Sequence, residues 1–168
     1  MAKINKCILP LVLLSLSLLI SCTKACSGRE DMTPEQVVEA YLNLSLNMNS
    51  ADQRAQLEDY TTGALKAALQ SASDDTITRS FINKNYELQR YSIIERLDRT
   101  PREVEVTFMI AFRDLGEDRK VKPELAALTT TENTISVIKE KGTWRMQDVL
   151  GKKTTIDFAV GETILPSE

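Results

Sequence analysis

From Val104 to Phe112 an apolar side chain recurs at every second residue: Val104, Val106, Phe108, Ile110 and Phe112. A segment with that unbroken period of two is a strand with one face in a core and the other toward water. Its surroundings extend the theme. Tyr91, Ile93, Glu95 and Leu97 are predicted to share one face of a strand over about 87–97, and Arg99-Thr100-Pro101-Arg102 is the turn between the two. Pro101 falls there because a turn needs no ladder donor from it. Residues 130–139 are β-rich, with Ile135 and Val137 as anchors, and Lys141-Gly142 is a turn. Trp144, Met146 and Asp148 then alternate with Arg145, Gln147 and Val149, and the tail over 154–165 is expected to add a short final strand.

Before Asn85 the period is helical. Thr33-Pro34-Glu35-Gln36 combines an N-cap, a first-turn proline and the glutamine of a capping box. Val37, Tyr41, Leu44 and Met48 follow on one broad face with Val38 and Leu42 beside them. A second capping box, Ser50-Ala51-Asp52-Gln53, opens a short helix to about Tyr60. Thr62-Gly63 interrupts, a third helix covers about 64–72, and Asp74-Asp75 is expected to cap a further helical piece around 77–81. Helices first and hairpin-linked strands afterwards predict an α+β fold, with N-terminal helices packed on a curved antiparallel sheet.

The first residues carry a different signal. Lys3 and Lys6 form a basic start, and an apolar stretch from Ile8 to Ile20 is broken only by Pro10, Ser15 and Ser17. That length suits the core of a secretory signal and is short for a bilayer span of about 20 residues. The stretch ends Leu19-Ile20-Ser21-Cys22. This tetrapeptide resembles the lipobox of bacterial lipoproteins, which implies cleavage between Ser21 and Cys22 and acyl chains (diacylglycerol and usually palmitate) on Cys22. Two or three acyl chains anchor almost permanently, at about 0.8 kcal/mol per buried methylene. Thr23, where an aspartate would favour inner-membrane retention, implies by the same resemblance an outer-membrane anchor with the domain facing the periplasm. The chain thus divides into a signal peptide (1–21), a lipidated cysteine and tether (22–32) and an α+β domain (33–165). Ten flexible tether residues span roughly 16–19 Å, which keeps the domain close to the membrane surface.

Composition removes several function classes. The chain has no histidine, which removes the imidazole-based triads, the usual neutral-pH proton shuttle and the commonest transition-metal ligand. Of three cysteines, Cys7 lies in the signal and Cys22 carries lipid, so only Cys26 in the tether stays free and no intrachain disulfide is expected. Without the signal the chain loses two lysines and no acid, leaving 19 bases against 24 acids. Beyond Arg119-Lys120-Val121-Lys122 no basic run exists, so the phosphate-neutralising footprint of a nucleic-acid binder is missing.

Together, Thr33-Pro34-Glu35-Gln36-Val37-Val38-Glu39-Ala40-Tyr41-Leu42, the short helices after it and Lys139-Glu140-Lys141-Gly142-Thr143-Trp144-Arg145-Met146 resemble small bacterial lipoproteins of the nuclear-transport-factor-two-like superfamily. The resemblance implies a cone in which the first helix lies across the sheet and a Gly-Xaa-Trp begins the terminal strand. Catalytic members place His, Asp or Tyr groups in the cone; this chain has no His, and no catalytic motif of the family transfers to it residue by residue.

Tyr41, Tyr60, Tyr91, Phe108 and Trp144 are the candidate pocket residues, with Tyr86, Asp59, Glu95 and Asp148 as further polar groups that could enter it. No catalytic group, metal site or cofactor is assigned. The leading reading is a non-catalytic envelope lipoprotein, bound to the membrane through Cys22, that takes a small apolar ligand or a protein partner. The alternatives are an assembly factor docking through its sheet face, and an acid–base enzyme using Asp59 with Tyr60. Glu103 and Glu105 read as a solvated strand face, Asp74-Asp75 as a cap, and Asp114, Glu117 and Asp118 lack the fixed spacing of a calcium loop.

Overall fold

Thr33 sets the first helix in place. In the computed structural model, which describes residues 32–116 and 120–158, the Gln36 amide donates to Thr33 Oγ1 at 3.3 Å and the Thr33 amide to Gln36 Oε1 at 2.8 Å. This reciprocal pair satisfies two amides that the helix start would otherwise leave unmade, and Pro34 occupies a position where no amide is needed. Helix α1 (Pro34–Leu46) follows, with Val37 and Val38 fully buried. The signal, Ser21, Cys22, Cys26, Glu117, Asp118 and the tail after Phe158 lie outside the described residues.

Ser50 and Gln53 form the second capping box around the 3-10 turn Ala51–Gln53, which leads into α2 (Arg54–Asp59). Helix α3 (Gly63–Ser71) and the one-turn α4 (Asp74–Ile77) complete the layer, and α4 runs on into a π-helical turn, Thr78–Ile82. Here the cap differs from expectation. Ser73, not the aspartate pair, accepts the Thr76 amide at 3.2 Å. Asp74 and Asp75 fall inside the first turn instead and pair with Arg54 and Arg79.

The sheet is an antiparallel meander of β1 (Tyr86–Thr100), β2 (Glu103–Asp114), β3 (Leu128–Glu140) and β4 (Thr143–Asp157), in that spatial order. Two expectations about it are corrected. Tyr91 and Ile93 face the helices opposite Ile110 and Phe108, but a register shift between Ile93 and Glu95 places Glu95 opposite Thr107 and Leu97 opposite Glu105. The extra residue of a bulge turns the rest of the strand over, so the four residues do not share a face. The tail is no separate strand either. β4 is continuous, because β3 offers Gly151–Asp157 an unbroken ladder in which Thr130 and Thr131 oppose Thr155 and Thr154. Such β-branched pairs stabilise a strand without an apolar period to announce it.

Between β3 and β4 the two-residue turn Lys141-Gly142 has positive φ at both positions, 50° and 90°. That is the backbone of a turn whose twist matches the strands it joins, and glycine takes the second position without steric cost.

One core lies between α1 and the sheet: Val37 and Val38 meet Val104, Val106, Phe108, Ile135, Val137 and Met146. A second, built from Met48, Leu57, Leu69 and Ile77, holds the short helices together. The end of α2 is stitched to β4 by backbone bonds, Met146 N–H to the Tyr60 carbonyl and Thr62 N–H to the Met146 carbonyl, both 2.9 Å. This is the α+β arrangement that the resemblance implies, with helix α1 across one sheet face and Gly142-Thr143-Trp144 opening the last strand.

Candidate functional site

The alternating face of β2 is longer than the helix that covers it. Val104, Val106 and Phe108 are buried under α1, while Ile110 and Phe112 run on toward the Tyr86 end of the sheet and stay only partly covered. The π-helical turn Thr78–Ile82 supplies Ser80 and Phe81 to the lining at that end. The result is a cleft of about 340 Å³ whose floor is Phe108, Ile110 and Phe112. Leu42 and Leu46 of α1 and Phe81 form its helical wall; Tyr86 closes one side, its ring tilted 45° against Phe112 with centroids 4.4 Å apart. Thr131 and Asn133 of β3 line the other side, and among the described residues Lys84 and Lys152 are the only charged ones in the lining. The volume falls within the range of small-molecule sites, about 300–1,000 Å³, and the mix of apolar wall with few polar groups is the usual one for such sites.

A smaller hollow of about 30 Å³, room for roughly one water molecule, shares Leu42, Leu46 and Ile110 with the cleft and is bounded by Glu39 and Tyr91. Burial, together with the charges of Glu39 and Glu35, pushes the Tyr91 phenol up to about 12. Its hydroxyl is buried and meets no hydrogen-bond partner among the described residues. A larger hollow of about 690 Å³ lies among Arg79, Asn83, Asn85 and Asp114. It lacks an aromatic floor, and the cleft is the better candidate for that reason.

The five candidate aromatics are distributed around these features. Phe108 forms part of the cleft floor, and Tyr91 tilts against it with ring centroids 6.1 Å apart. Tyr41 packs between the two cores, where burial raises its phenol, and lines a separate shallow depression with Leu65 and Phe81. Tyr60 and Trp144 pack against the main core, and Trp144 has the Lys139 ammonium 5.6 Å from its ring. Leu42, Leu46, Phe81, Ile110 and Phe112 were not among the sequence candidates. Ile110 and Phe112 share the period of Phe108, and Leu42 and Leu46 are one helical turn apart, so the pattern contained them. What the pattern lacked was where the cover of α1 stops along β2, leaving Ile110 and Phe112 only partly buried.

The acids lie elsewhere. Asp59, Glu95 and Asp148 are exposed, and Asp148 accepts the neighbouring Val149 amide at 2.8 Å. Glu105 is bound by both ends of the Arg99 guanidinium at 2.7 and 2.8 Å, which holds its carboxyl below the ordinary range. Asp114 accepts the Gly116 amide at 3.0 Å.

No protein-family model and no curated protein match the chain. Among solved structures, it is similar to the intermembrane-space region of the chloroplast protein ARC6, at 15% identity and a TM-score of 0.45, over 74% of this chain and 93% of that one. It is also similar to the VirB8 protein of Agrobacterium tumefaciens, at 16% identity and a TM-score of 0.39, over 77% of this chain and 98% of that one.

Proposed function

We propose that the chain is a lipoprotein of the bacterial cell envelope, anchored through lipid on Cys22, whose α+β domain is non-catalytic and holds a small apolar ligand in the cleft beneath the end of α1. The anchor rests on the Leu19-Ile20-Ser21-Cys22 motif behind its apolar stretch. The ligand reading is carried by one observation: the Phe108–Ile110–Phe112 face continues past its helical cover into a cleft walled by Leu42, Leu46, Phe81 and Tyr86. Apolar surface of that kind is stabilised by removal from water, at about 25 cal/mol per Å² buried. A protein partner presenting a single apolar side chain would use the same surface. The face of the sheet turned away from the helices favours docking less, since Thr107 bonds Thr134 at 3.0 Å across it and Ser136 bonds Gln147 at 3.3 Å.

Two measurements test the two halves. Intact mass of the membrane-extracted protein should show residues 1–21 removed and acyl mass on Cys22; recovery of a chain starting at Met1, or of an unmodified Cys22, overturns the anchor. Native mass spectrometry of the unlipidated Cys22→Ala chain should show a co-purifying small molecule that Ile110→Glu abolishes. A species that survives Ile110→Glu unchanged overturns the cleft.

A further inference from the structure

Lys84 and Lys152 reach the cleft from opposite layers. Lys84 follows the π-helical turn, and its ammonium stands 5.9 Å from the centroid of the Tyr86 ring. Lys152 lies on β4 opposite Asn133, which lies opposite Phe108, so all three point to the helix-bearing face. Lys153, the next residue, pairs with Glu132 on the other face. Among the described residues neither Lys84 nor Lys152 forms an ion pair with a carboxylate. Among the described residues the cleft lining holds no acid, although acids outnumber bases in the chain, 24 to 21. Two unneutralised ammonium groups therefore flank an aromatic and aliphatic floor, with Thr131 and Asn133 adding hydrogen-bonding groups beside them.

We infer that the ligand is a single-chain fatty acid, its alkyl chain over Phe108, Ile110 and Phe112 and its carboxylate between Lys84 and Lys152. This rests on the apolar-ligand reading above and adds the head group. A carboxylate presents two oxygens, one for each ammonium, and charge-assisted bonds of this kind are roughly twice as strong as neutral ones. The cleft is near the small end of ligand sites, which suits one chain over a two-chain lipid. A zwitterionic head would set its own cation against the two lysines.

The experiment uses the unlipidated Cys22→Ala chain without residues 1–21, titrated calorimetrically with dodecanoate, dodecanol and dodecylphosphocholine below their micelle concentrations. Dodecanoate is expected to bind tightest. Lys84→Met with Lys152→Met should weaken dodecanoate roughly tenfold or more while leaving dodecanol unchanged, and the double arginine variant should retain dodecanoate. Equal weakening of dodecanoate and dodecanol, no weakening of either, or tighter binding of dodecylphosphocholine overturns the head-group assignment while the apolar cleft stands. Absence of binding by both dodecanol and dodecanoate overturns the assignment and the apolar-ligand reading with it.

Discussion

Arg96 on β1 reaches Glu35 in the first turn of α1 at 3.0 Å while its other terminal nitrogen holds Asp98 at 2.8 Å. One guanidinium thus ties the sheet edge to the start of the helix that covers the core. Partial burial pulls the Glu35 carboxyl upward, but hydrogen bonds from its own backbone, Thr33 and Arg96 outweigh that and hold it below its ordinary value of 4.5. A carboxyl lowered in the folded state stabilises that state fully above its unfolded value, and the contribution is lost as pH falls through the folded one. The urea midpoint of the wild type should therefore exceed that of Glu35→Gln at neutral pH, and the gap should close on acidification below 4.5. A gap that is constant with pH would show that the pair does no such linking.

Phe108 is 3% exposed and touches both α1 and Tyr91. Phe108→Ala should lower unfolding free energy by about 3–5 kcal/mol, read from urea denaturation. Near-wild-type stability would mean that the β2 face is not the core face.

Gly63 opens α3 at φ +53°, and a Cβ there would stand 2.8 Å from Gln147 Cγ. Gly63→Ala should cost about 1–2 kcal/mol from the left-handed backbone alone, and more for displacing Gln147. Gly142→Ala, with φ +90° and open space around it, supplies the comparison without the clash. Thermal denaturation of the two variants should therefore rank Gly63→Ala as the less stable.

Asp59→Asn, Tyr60→Phe, Glu95→Gln and Asp148→Asn test the acid–base alternative. Each should leave cellular function at the wild-type level, measured by complementation in cells. Loss of function in one correctly folded variant would overturn the non-catalytic reading.

The elements legible in the sequence are those whose period or cap is a local property. Thr33 with Gln36, Ser50 with Gln53, and Val104 to Phe112 each announce themselves within a few residues, and each is where the pattern places it. The features that escaped depend on a neighbour. The bulge after Ile93 is fixed by pairing with β2, and the second half of β4 exists because β3 runs alongside it. The cleft is of this second kind: Phe108, Ile110 and Phe112 form one period, yet Phe108 is buried and Ile110 and Phe112 are only partly so, a division set by what packs over them.

The bonds between Met146 and the end of α2 join segments far apart in the chain. Bringing such segments together meets a loop-closure cost that is recovered only when both are present. Among the described residues the short helices share a small core of Met48, Leu57, Leu69 and Ile77, so their layer is expected to close only once β4 can pair with the end of α2. Closure of the helical layer is thereby tied to a strand that the ribosome delivers well after the helices themselves.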